Sequence, residues 1–258
     1  NKLFSVPPVG LGLTQFPNIS DWNLSSLELS LFGAAPLSSE LQIKISEVLG
    51  CSVIQGYGMT ETSPLTNADF AETHFTKPGS IGPATSDTEQ KIVDVDDPQS
   101  ILPTDTPGEL MIRGPQVMMG YYNNPDATSE TLTEDGWIHT GDIASMDSEG
   151  YVWILDRKKE LIKYKGFQVP PAELEGLLLQ HPDISDAAVI GKQDQDSGEI
   201  PKAYVVKSSN SILSESDVMD FISGKVATYK EIREVEFIDS VPKNPSGKIL
   251  RRILRDNS

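Results

Sequence analysis

The alternation of helix-like and strand-like segments before residue 60 constrains the fold of this chain most. Residues 38–50 have apolar side chains at helical spacing, Ser39 and Gln42 have the spacing of a capping box, and Gly50 suits the helix end. The apolar residues at 52–54 then favour a short buried strand. Strand–helix–strand alternation of this kind predicts an α/β layer around residues 25–60.

Two later regions predict different architectures. Between residues 78 and 156, short β-rich segments alternate with Pro and Gly turns, which is typical of a small, mostly β subdomain. The segments predicted there as strands are 90–95, 108–112 and 151–155. Beyond residue 160 the pattern mixes helices and strands and predicts a compact α+β domain. Two of its predicted helices are 172–180 and 249–255. A third predicted helix is capped by Ser214 and has Val218, Phe221, Ile222 and Val226 on one face. The predicted strands of this domain are 186–190, 203–206 and 234–238.

A polar run at residues 156–160 lies between two apolar, strand-like segments and is a candidate hinge. A hinge there predicts two domains, 1–158 and 159–258.

Composition excludes several classes of protein. The 258 residues carry a net charge of −17, and 38% are hydrophobic and 23% charged, which excludes collagen, a coiled coil and wholesale disorder. The negative charge argues against a general nucleic-acid binder, and no apolar run approaches the ~18 residues that span a bilayer. A single cysteine, Cys51, excludes a disulfide framework and a cysteine-rich metal site. We expect an intracellular, cytoplasmic protein without a transmembrane segment, and a first residue other than Met suggests a fragment or a processed product.

The segment Gly56–Glu61 follows the strand predicted at 52–54 and allows three interpretations. A dinucleotide site needs Gly-x-Gly-x-x-Gly, but Glu61 stands at the last position, where its charge would repel a pyrophosphate. Alternatively, the glycines allow close backbone approach, Tyr57 supplies a stacking face, Thr60 a hydroxyl for phosphate and Glu61 an oxygen ligand for Mg²⁺. The third interpretation is a tight turn with a surface glutamate. These six residues alone do not separate the last two.

A second polar segment, Thr140–Asp142, follows an apolar run. A carboxylate beside a glycine can accept hydrogen bonds from a ribose diol, although an aspartate in a turn explains the same residues. We assign no role to His139. Histidines at 74, 139 and 181 are too scattered to predict a metal site built on imidazoles.

Two basic clusters stand out against the acidic whole. The first contains Arg157, Lys158, Lys159, Lys163 and Lys165; the second contains Lys243, Lys248, Arg251, Arg252 and Arg255. Such clusters are either solvated surface or binding surfaces for a polyanion such as a nucleotide. Pro245–Lys248 is not a phosphate loop, because Ile249 stands where that motif needs Ser or Thr. A lysine on a Ser-Gly turn could still bring a positive charge to a transition state.

Six segments carry the main signal, in this chain order: GAAP at 33–36, GYGMTE at 56–61, GELMIRGPQVMMGYYNNP at 108–125, GWIHTGD at 136–142, DRKKELIKYKGFQVPPAELE at 156–175 and PKNPSGKILRR at 242–252. Together they resemble the adenylate-forming enzymes, in the branch of 4-coumarate–CoA ligases and firefly-luciferase-like acyl-CoA synthetases. The resemblance spans nearly the whole chain. It implies the C-terminal part of a large AMP-binding domain, made of an α/β layer and a small β subdomain, followed by a mobile α+β domain.

The resemblance also implies an activity: a carboxylic acid is joined to AMP with ATP and Mg²⁺, and the acyl group then passes to coenzyme A. Rotation of the small domain about a hinge would exchange catalytic faces between the two steps. The residues that would serve the nucleotide and metal are Ala34, Gln55, Gly56 and Tyr57 in the adenine and acyl pocket, Thr60 at the α-phosphate, Glu61 at Mg²⁺, Asp142 at the ribose and Arg157 at the nucleotide. The residues that would serve the steps themselves are Lys159 as hinge, Lys163 and Gln168 at the acyl-adenylate, Lys165 and Gly166 at coenzyme A, and Lys248 at the charge that develops during adenylation.

The chain departs from the family in one respect. The family's Ser/Thr/Gly-rich loop for the β- and γ-phosphates precedes the GAAP segment and has no counterpart here. The chain is therefore expected to be a C-terminal portion that adenylates poorly by itself and depends on the missing N-terminal segment as a partner. Small or apolar residues at Pro64 and Leu65 suit an aromatic or apolar acid. The alternatives are a non-catalytic remnant that binds nucleotide or coenzyme A, and a dinucleotide-dependent oxidoreductase, which Glu61 disfavours.

Overall fold

A computed structural model of the chain describes residues 1–71, 76–244 and 247–256. The chain divides into two compact units, Asn1–Ile154 and Leu155–Ser258. None of the helices among the described residues is long and apolar enough to cross a membrane.

The first sheet of the first unit is the α/β layer expected before residue 60. Its strands, in sheet order, are β1 (Lys2–Ser5), β2 (Leu29–Phe32), β3 (Ser52–Gly58) and β4 (Leu65–Ala68). The first three strands are parallel, and β4 is antiparallel to β3. Helices α1 (Pro7–Gln15) and α2 (Ser39–Leu49) connect the parallel strands. Phe32, Ile45 and Val53 form the buried centre between α2 and the sheet.

Helix α2 confirms the predicted element and corrects its cap. The N-cap is Ser38, whose Oγ accepts a hydrogen bond from the Leu41 N–H at 3.2 Å. The capping box predicted for Ser39 and Gln42 is therefore wrong, because Ser39 is already helical and Gln42 is buried against the sheet. Gly50 ends the helix in the left-handed conformation, as the sequence predicts.

A second sheet of the first unit is the expected β subdomain. Its strands, in sheet order, are β5 (Glu89–Val93), β6 (Gly108–Arg113), β7 (Ile138–Met146) and β8 (Val152–Arg157). Helix α3 (Pro125–Thr131) lies between β6 and β7 along the chain. The core of this sheet is apolar and includes Leu110, Ile112 and Ile138. Strand β7, which carries Asp142, was not predicted as a strand.

The second unit is the predicted α+β domain. In sheet order its strands are β10 (Phe167–Val169), β9 (Ile162–Tyr164), β12 (Gly198–Lys207) and β11 (Ile184–Asp194), and β13 (Glu234–Phe237) pairs in parallel with β12. Its helices are α4 (Pro171–Leu178), α5 (Glu215–Ile222) and α6 (Arg251–Arg255). Ser214 caps α5 as predicted, with its Oγ accepting from the Asp217 N–H. Val226 lies beyond the end of α5, so its assignment to the helix face is corrected, although it still packs on the core.

Candidate functional site

Two of the sequence motifs meet in the first unit through Tyr57 and Asp142. The Tyr57 hydroxyl donates a hydrogen bond of 2.5 Å to Asp142 Oδ2. Tyr57 lies near the end of β3 and packs against the apolar core of the second sheet, while Asp142 lies in β7 and is 3% exposed. Asp142 is therefore a buried strand residue and not a turn residue. A carboxylate fixed beside an aromatic ring can hold a diol while the ring stacks on a base.

Backbone geometry fixes the position of Asp142. The Thr140 hydroxyl donates to the Leu110 carbonyl at 2.7 Å and accepts from the Asp142 N–H at 3.1 Å. Gly141 has a φ of +68°, which glycine adopts without strain. His139 lies 3.3 Å from the buried Glu109 carboxylate. His139 therefore helps to hold β7 in place.

Glu61 lies in a single 3₁₀ turn, Thr60–Thr62, directly after β3. The Tyr121 hydroxyl donates to Glu61 Oε1 at 2.8 Å, and the Met118 N–H donates to the Glu61 carbonyl at 2.8 Å. The hydrogen bond to the Glu61 carboxylate, aided by burial, raises the pKa of Tyr121. The 108–125 motif therefore contacts the 56–61 motif, and the Thr60 side chain lies exposed beside the contact.

The backbone after this turn approaches position 58 so closely that only glycine fits there. A Cβ at this position would lie 1.8 Å from the Pro64 carbonyl oxygen. The buried Thr62 hydroxyl donates to that same carbonyl at 2.6 Å. Gly56 lies on the next pleat of β3, where a Cβ would come within 3.2 Å of Leu65 Cδ1. The glycines therefore set the shape of the turn that carries Thr60 and Glu61.

The GAAP segment approaches the same strand end. A Cβ on Gly33 would lie 3.3 Å from the Gly56 carbonyl oxygen. Ala34 is exposed and has a φ of +67°. A non-glycine residue in this conformation stores about 1 kcal/mol of strain or more, and such strain clusters at functional sites.

Gln55 has a supporting function that the sequence did not reveal. Its side chain is 4% exposed; Oε1 accepts from the Leu37 N–H at 3.1 Å, and Nε2 donates to the Leu37 carbonyl at 3.0 Å. Nε2 also donates to Gln42 Oε1 at 3.0 Å. Gln55 thus holds the loop that follows Ala34, while its contact with a ligand stays a prediction.

In the second unit, β9 and β10 form a hairpin that brings four predicted site residues together. Lys163 and Gln168 are directly opposite each other in the antiparallel register. Lys165 and Gly166 form the connecting turn with φ values of 49° and 84°. Positive φ at both central residues is typical of a type I′ hairpin turn. The Lys163 and Gln168 side chains are exposed on the hairpin.

The candidate hinge residues follow β8. Lys159 is exposed in the 3₁₀ turn Lys158–Glu160. Asp156, just before the turn, is buried and accepts hydrogen bonds from the Arg157 and Ala172 N–H groups at 2.7 and 2.8 Å. Within the second unit, Asp156 thus holds Arg157 beside the start of α4. The hinge function of Lys159 stays a prediction.

Lys248 is exposed on a turn near the end of the chain. Its N–H donates to Asn244 Oδ1 at 2.9 Å, and the Asn244 N–H donates to the Lys248 carbonyl at 3.0 Å. Pro245 and Ser246, which the sequence assigns to this turn, lie outside the described residues, as does His74.

The carboxylate of Glu61 is an oxygen ligand of the kind that Mg²⁺ prefers. In residues 1–71, 76–244 and 247–256, no three His, Cys, Asp or Glu side chains form a metal-binding group. Mg²⁺ is usually held by one or two carboxylates together with substrate phosphates and water, so a single carboxylate at the site suffices. Glu61 is partly exposed and held by Tyr121.

Comparison with known proteins defines the class to which this fold and site belong. The family model for AMP-binding enzymes matches residues 1–122, and the model for the AMP-binding enzyme C-terminal domain matches residues 173–248. The chain therefore belongs to the family of AMP-binding, adenylate-forming enzymes, which confirms the resemblance and the fold class inferred from the sequence.

Within this family, the curated relatives include 4-coumarate–CoA ligases. The chain is 49% identical over 254 residues to 4-coumarate–CoA ligase 1 of Solanum tuberosum, covering 97% of this chain and 46% of the relative. Identity to 4-coumarate–CoA ligase 1 of Arabidopsis thaliana is also 49% over 254 residues, covering 97% of this chain and 45% of that protein. The chain thus spans somewhat less than half the length of these relatives.

Solved structures give the same family. ATP-bound MatB from Rhodopseudomonas palustris matches 100% of this chain and 50% of its own, with a TM-score of 0.94 at 31% identity. The anthranilate CoA ligase AuaEII in complex with anthranoyl-AMP matches 99% of this chain and 49% of its own, with a TM-score of 0.85 at 30% identity.

Proposed function

We propose that this chain is the C-terminal portion of an ATP-dependent acid–CoA ligase. The observation that carries the proposal is the hydrogen bond from Tyr57 to Asp142, which joins two motifs 85 residues apart in one buried polar site. The Tyr121–Glu61 contact adds a third motif to the same unit. The relatives named as CoA ligases support the same activity.

In the proposed first step, the carboxylate of the acid attacks the α-phosphorus of ATP and pyrophosphate leaves. Tyr57 stacks on adenine, with its ring orientation fixed by the hydrogen bond to Asp142, and the Asp142 carboxylate accepts hydrogen bonds from the ribose hydroxyls. Thr60 binds the α-phosphate. Glu61 holds Mg²⁺, which neutralises phosphate charge when it is bound. Ala34 and Gly56 form the neighbouring pocket wall, supported by Gln55.

Lys248 supplies a positive charge to the acyl–phosphate centre in this step. Arg157 binds the nucleotide. An ammonium group placed where negative charge develops stabilises the transition state more than the ground state. The exposed side chain of Lys248 on a short turn supports this function.

In the proposed second step, the thiolate of coenzyme A attacks the acyl carbonyl and AMP leaves. Lys163 and Gln168 bind the acyl-adenylate, and Lys165 with Gly166 contacts coenzyme A. The cross-strand pairing of Lys163 with Gln168 supports a joint function. We propose that the second unit rotates about a hinge near Lys159 between the steps, with domains at 1–158 and 159–258.

We propose an aromatic or apolar acid as substrate. The names of the relatives, 4-coumarate–CoA ligase and anthranilate CoA ligase, support an aromatic carboxylate. Leu65 is partly exposed and approaches Gly56, so the wall continues as apolar surface beyond the nucleotide site.

The isolated chain is proposed to be impaired until it is joined to the remainder of the large domain. Large apolar side chains are exposed on its first unit, among them Phe4 at 70% and Trp22 at 64%. Exposed apolar surface of this kind marks a contact with another protein segment. The sequence also contains no Ser/Thr/Gly-rich loop to hold the leaving pyrophosphate.

The test is a panel of carboxylic acids incubated with ATP, Mg²⁺ and coenzyme A, using the complete protein. The proposal predicts acid-dependent release of AMP with formation of a thioester, and an Asp142→Asn variant with a strongly raised KM for ATP. Binding of ATP or coenzyme A with no thioester from any acid would favour the non-catalytic alternative.

A further inference from the structure

Two paired segments, 242–244 and 247–250, form the described part of the loop that carries Lys248. Besides the paired Asn244 and Lys248 hydrogen bonds, the Leu250 N–H donates to the Pro242 carbonyl at 2.8 Å, and Lys243 and Ile249 form an antiparallel bridge. The backbone of residues 247–250 is therefore held against residues 242–244. Because the lysine side chain is flexible, the loop backbone sets the region that its ammonium group can reach.

An ion pair anchors the first limb of the loop to β11. Lys243 Nζ lies 2.8 Å from Asp186 Oδ1 and 2.6 Å from Asp186 Oδ2. Both side chains are about one-third exposed, with values of 35% and 28%. Asp186 is near the start of β11, which lies at the end of the second unit's sheet order and pairs with β12.

A buried ion pair anchors the other limb at the opposite end. Arg251 Nη2 donates to both carboxylate oxygens of Glu175 at 2.8 and 2.7 Å, and Arg251 Nε donates to the Val189 carbonyl at 3.2 Å. The Val189 N–H in turn donates to Glu175 at 2.8 Å. The Arg251 and Glu175 side chains are 11% and 10% exposed. Arg251 follows Lys248 by three residues, and Leu254 packs into the cluster formed with β11 and β12.

We propose that Asp186 and Glu175 are positioning residues for Lys248: Asp186 on β11 and Glu175 on α4 hold the two limbs of its loop and fix where the ammonium group can reach. This rests on the proposed function of Lys248 in adenylation. The planar Arg251 guanidinium bonds Glu175 through Nη2 and the Val189 carbonyl through Nε, so its orientation is held as well as its distance. Displacement of a catalytic group by about 1 Å can lower the rate ~100-fold.

The inference predicts a split between the two half-reactions. Glu175→Gln and Asp186→Asn, made in the complete protein, weaken the anchors with little change of shape. We expect each to lower the rate of acid-dependent ATP–pyrophosphate exchange by roughly tenfold or more, with little change in the KM for ATP. Thioester formation from supplied acyl-AMP should stay within about twofold of the wild type, because Lys248 is not needed there.

The matched control is Glu173→Gln. Glu173 also lies on α4 and forms an ion pair, with Lys230 at 2.6 Å, but this pair has no part in the loop of Lys248. The control should leave both half-reactions unchanged. A second test exchanges the charges of the outer pair: Asp186→Lys with Lys243→Asp should recover exchange activity lost in Asp186→Asn.

Three outcomes would overturn the inference. One is unchanged pyrophosphate exchange in both anchor variants; another is equal loss in the two half-reactions, which indicates a purely structural function. A wild-type protein without acid-dependent exchange would remove the proposed function and this inference with it. If wild type is active and Lys248→Ala loses exchange while the anchor variants retain it, the inference alone fails.

Discussion

Asp69 is a buried carboxylate whose ionisation should lower the stability of the first unit at neutral pH. It follows β4 and is 5% exposed; Oδ1 accepts from the Phe70 N–H at 2.8 Å, and among the described residues no hydrogen-bond partner of Oδ2 is found. Burial raises the pKa of Asp69 from 3.8 to about 6, against the opposing hydrogen bonds and the charge of Lys77. We expect Asp69→Asn, which is neutral at every pH, to stabilise the protein at neutral pH.

The sign follows from proton linkage. Because the pKa of Asp69 is higher in the folded than in the unfolded state, folding is favoured by the protonated form below about pH 4 and loses this contribution as the pH rises through about 6. A shift of about two pKa units corresponds to about 3 kcal/mol at most. Relative to wild type, Asp69→Asn should therefore gain about 2–3 kcal/mol near pH 7.5, about 1 kcal/mol near pH 4.5 and almost nothing near pH 3.

The assay is urea unfolding of both proteins across this pH range, followed by tryptophan fluorescence. Glu134→Gln is the control, because it removes the same charge from an exposed turn residue. A pH-independent difference between Asp69→Asn and wild type, or a less stable variant at about pH 7.5, would refute the reasoning.

Three substitutions test the geometry of the proposed nucleotide site. Gln55→Leu should lower the free energy of unfolding by about 2–4 kcal/mol in urea denaturation, because it removes three buried hydrogen bonds; a loss below about 1 kcal/mol would mean that the loop is held otherwise. Tyr57→Phe keeps the ring but removes the hydrogen bond to Asp142, so steady-state kinetics should show a KM for ATP raised roughly tenfold with little change in kcat. Gly58→Ala places a methyl group against the Pro64 carbonyl, so pyrophosphate exchange should fall ~100-fold; retained exchange would contradict the required close approach.

Local sequence patterns predict a structural feature correctly where that feature depends on a single helix or strand. Gly50 ends α2 and Ser214 caps α5, because each acts on backbone groups within a few residues. The cap of α2 was misplaced by one residue, since Ser38 and Ser39 carry the same hydroxyl and only backbone geometry distinguishes them.

Long-range partners could not be predicted from the sequence alone. In the sequence, Gln55 looks like any polar residue of a strand. Its hydrogen-bond partners, Leu37 and Gln42, become adjacent to it only in the folded structure. Asp142 follows a glycine, which suggests a turn, yet it lies inside β7, at the register shift in the pairing of β7 with β6. The pairing of Arg251 with Glu175 joins residues 76 apart in the chain. The partners of these side chains depend on burial and tertiary contacts, which local sequence patterns do not encode.

The most direct test of the proposed ligase is the effect of Lys248→Ala on the two half-reactions of the complete protein. One assay follows acid-dependent ATP–pyrophosphate exchange, and the other follows thioester formation from supplied acyl-AMP and coenzyme A. The account predicts that exchange falls ~100-fold or more while thioester formation is retained. Equal loss of both activities, or full exchange in the variant, would contradict it.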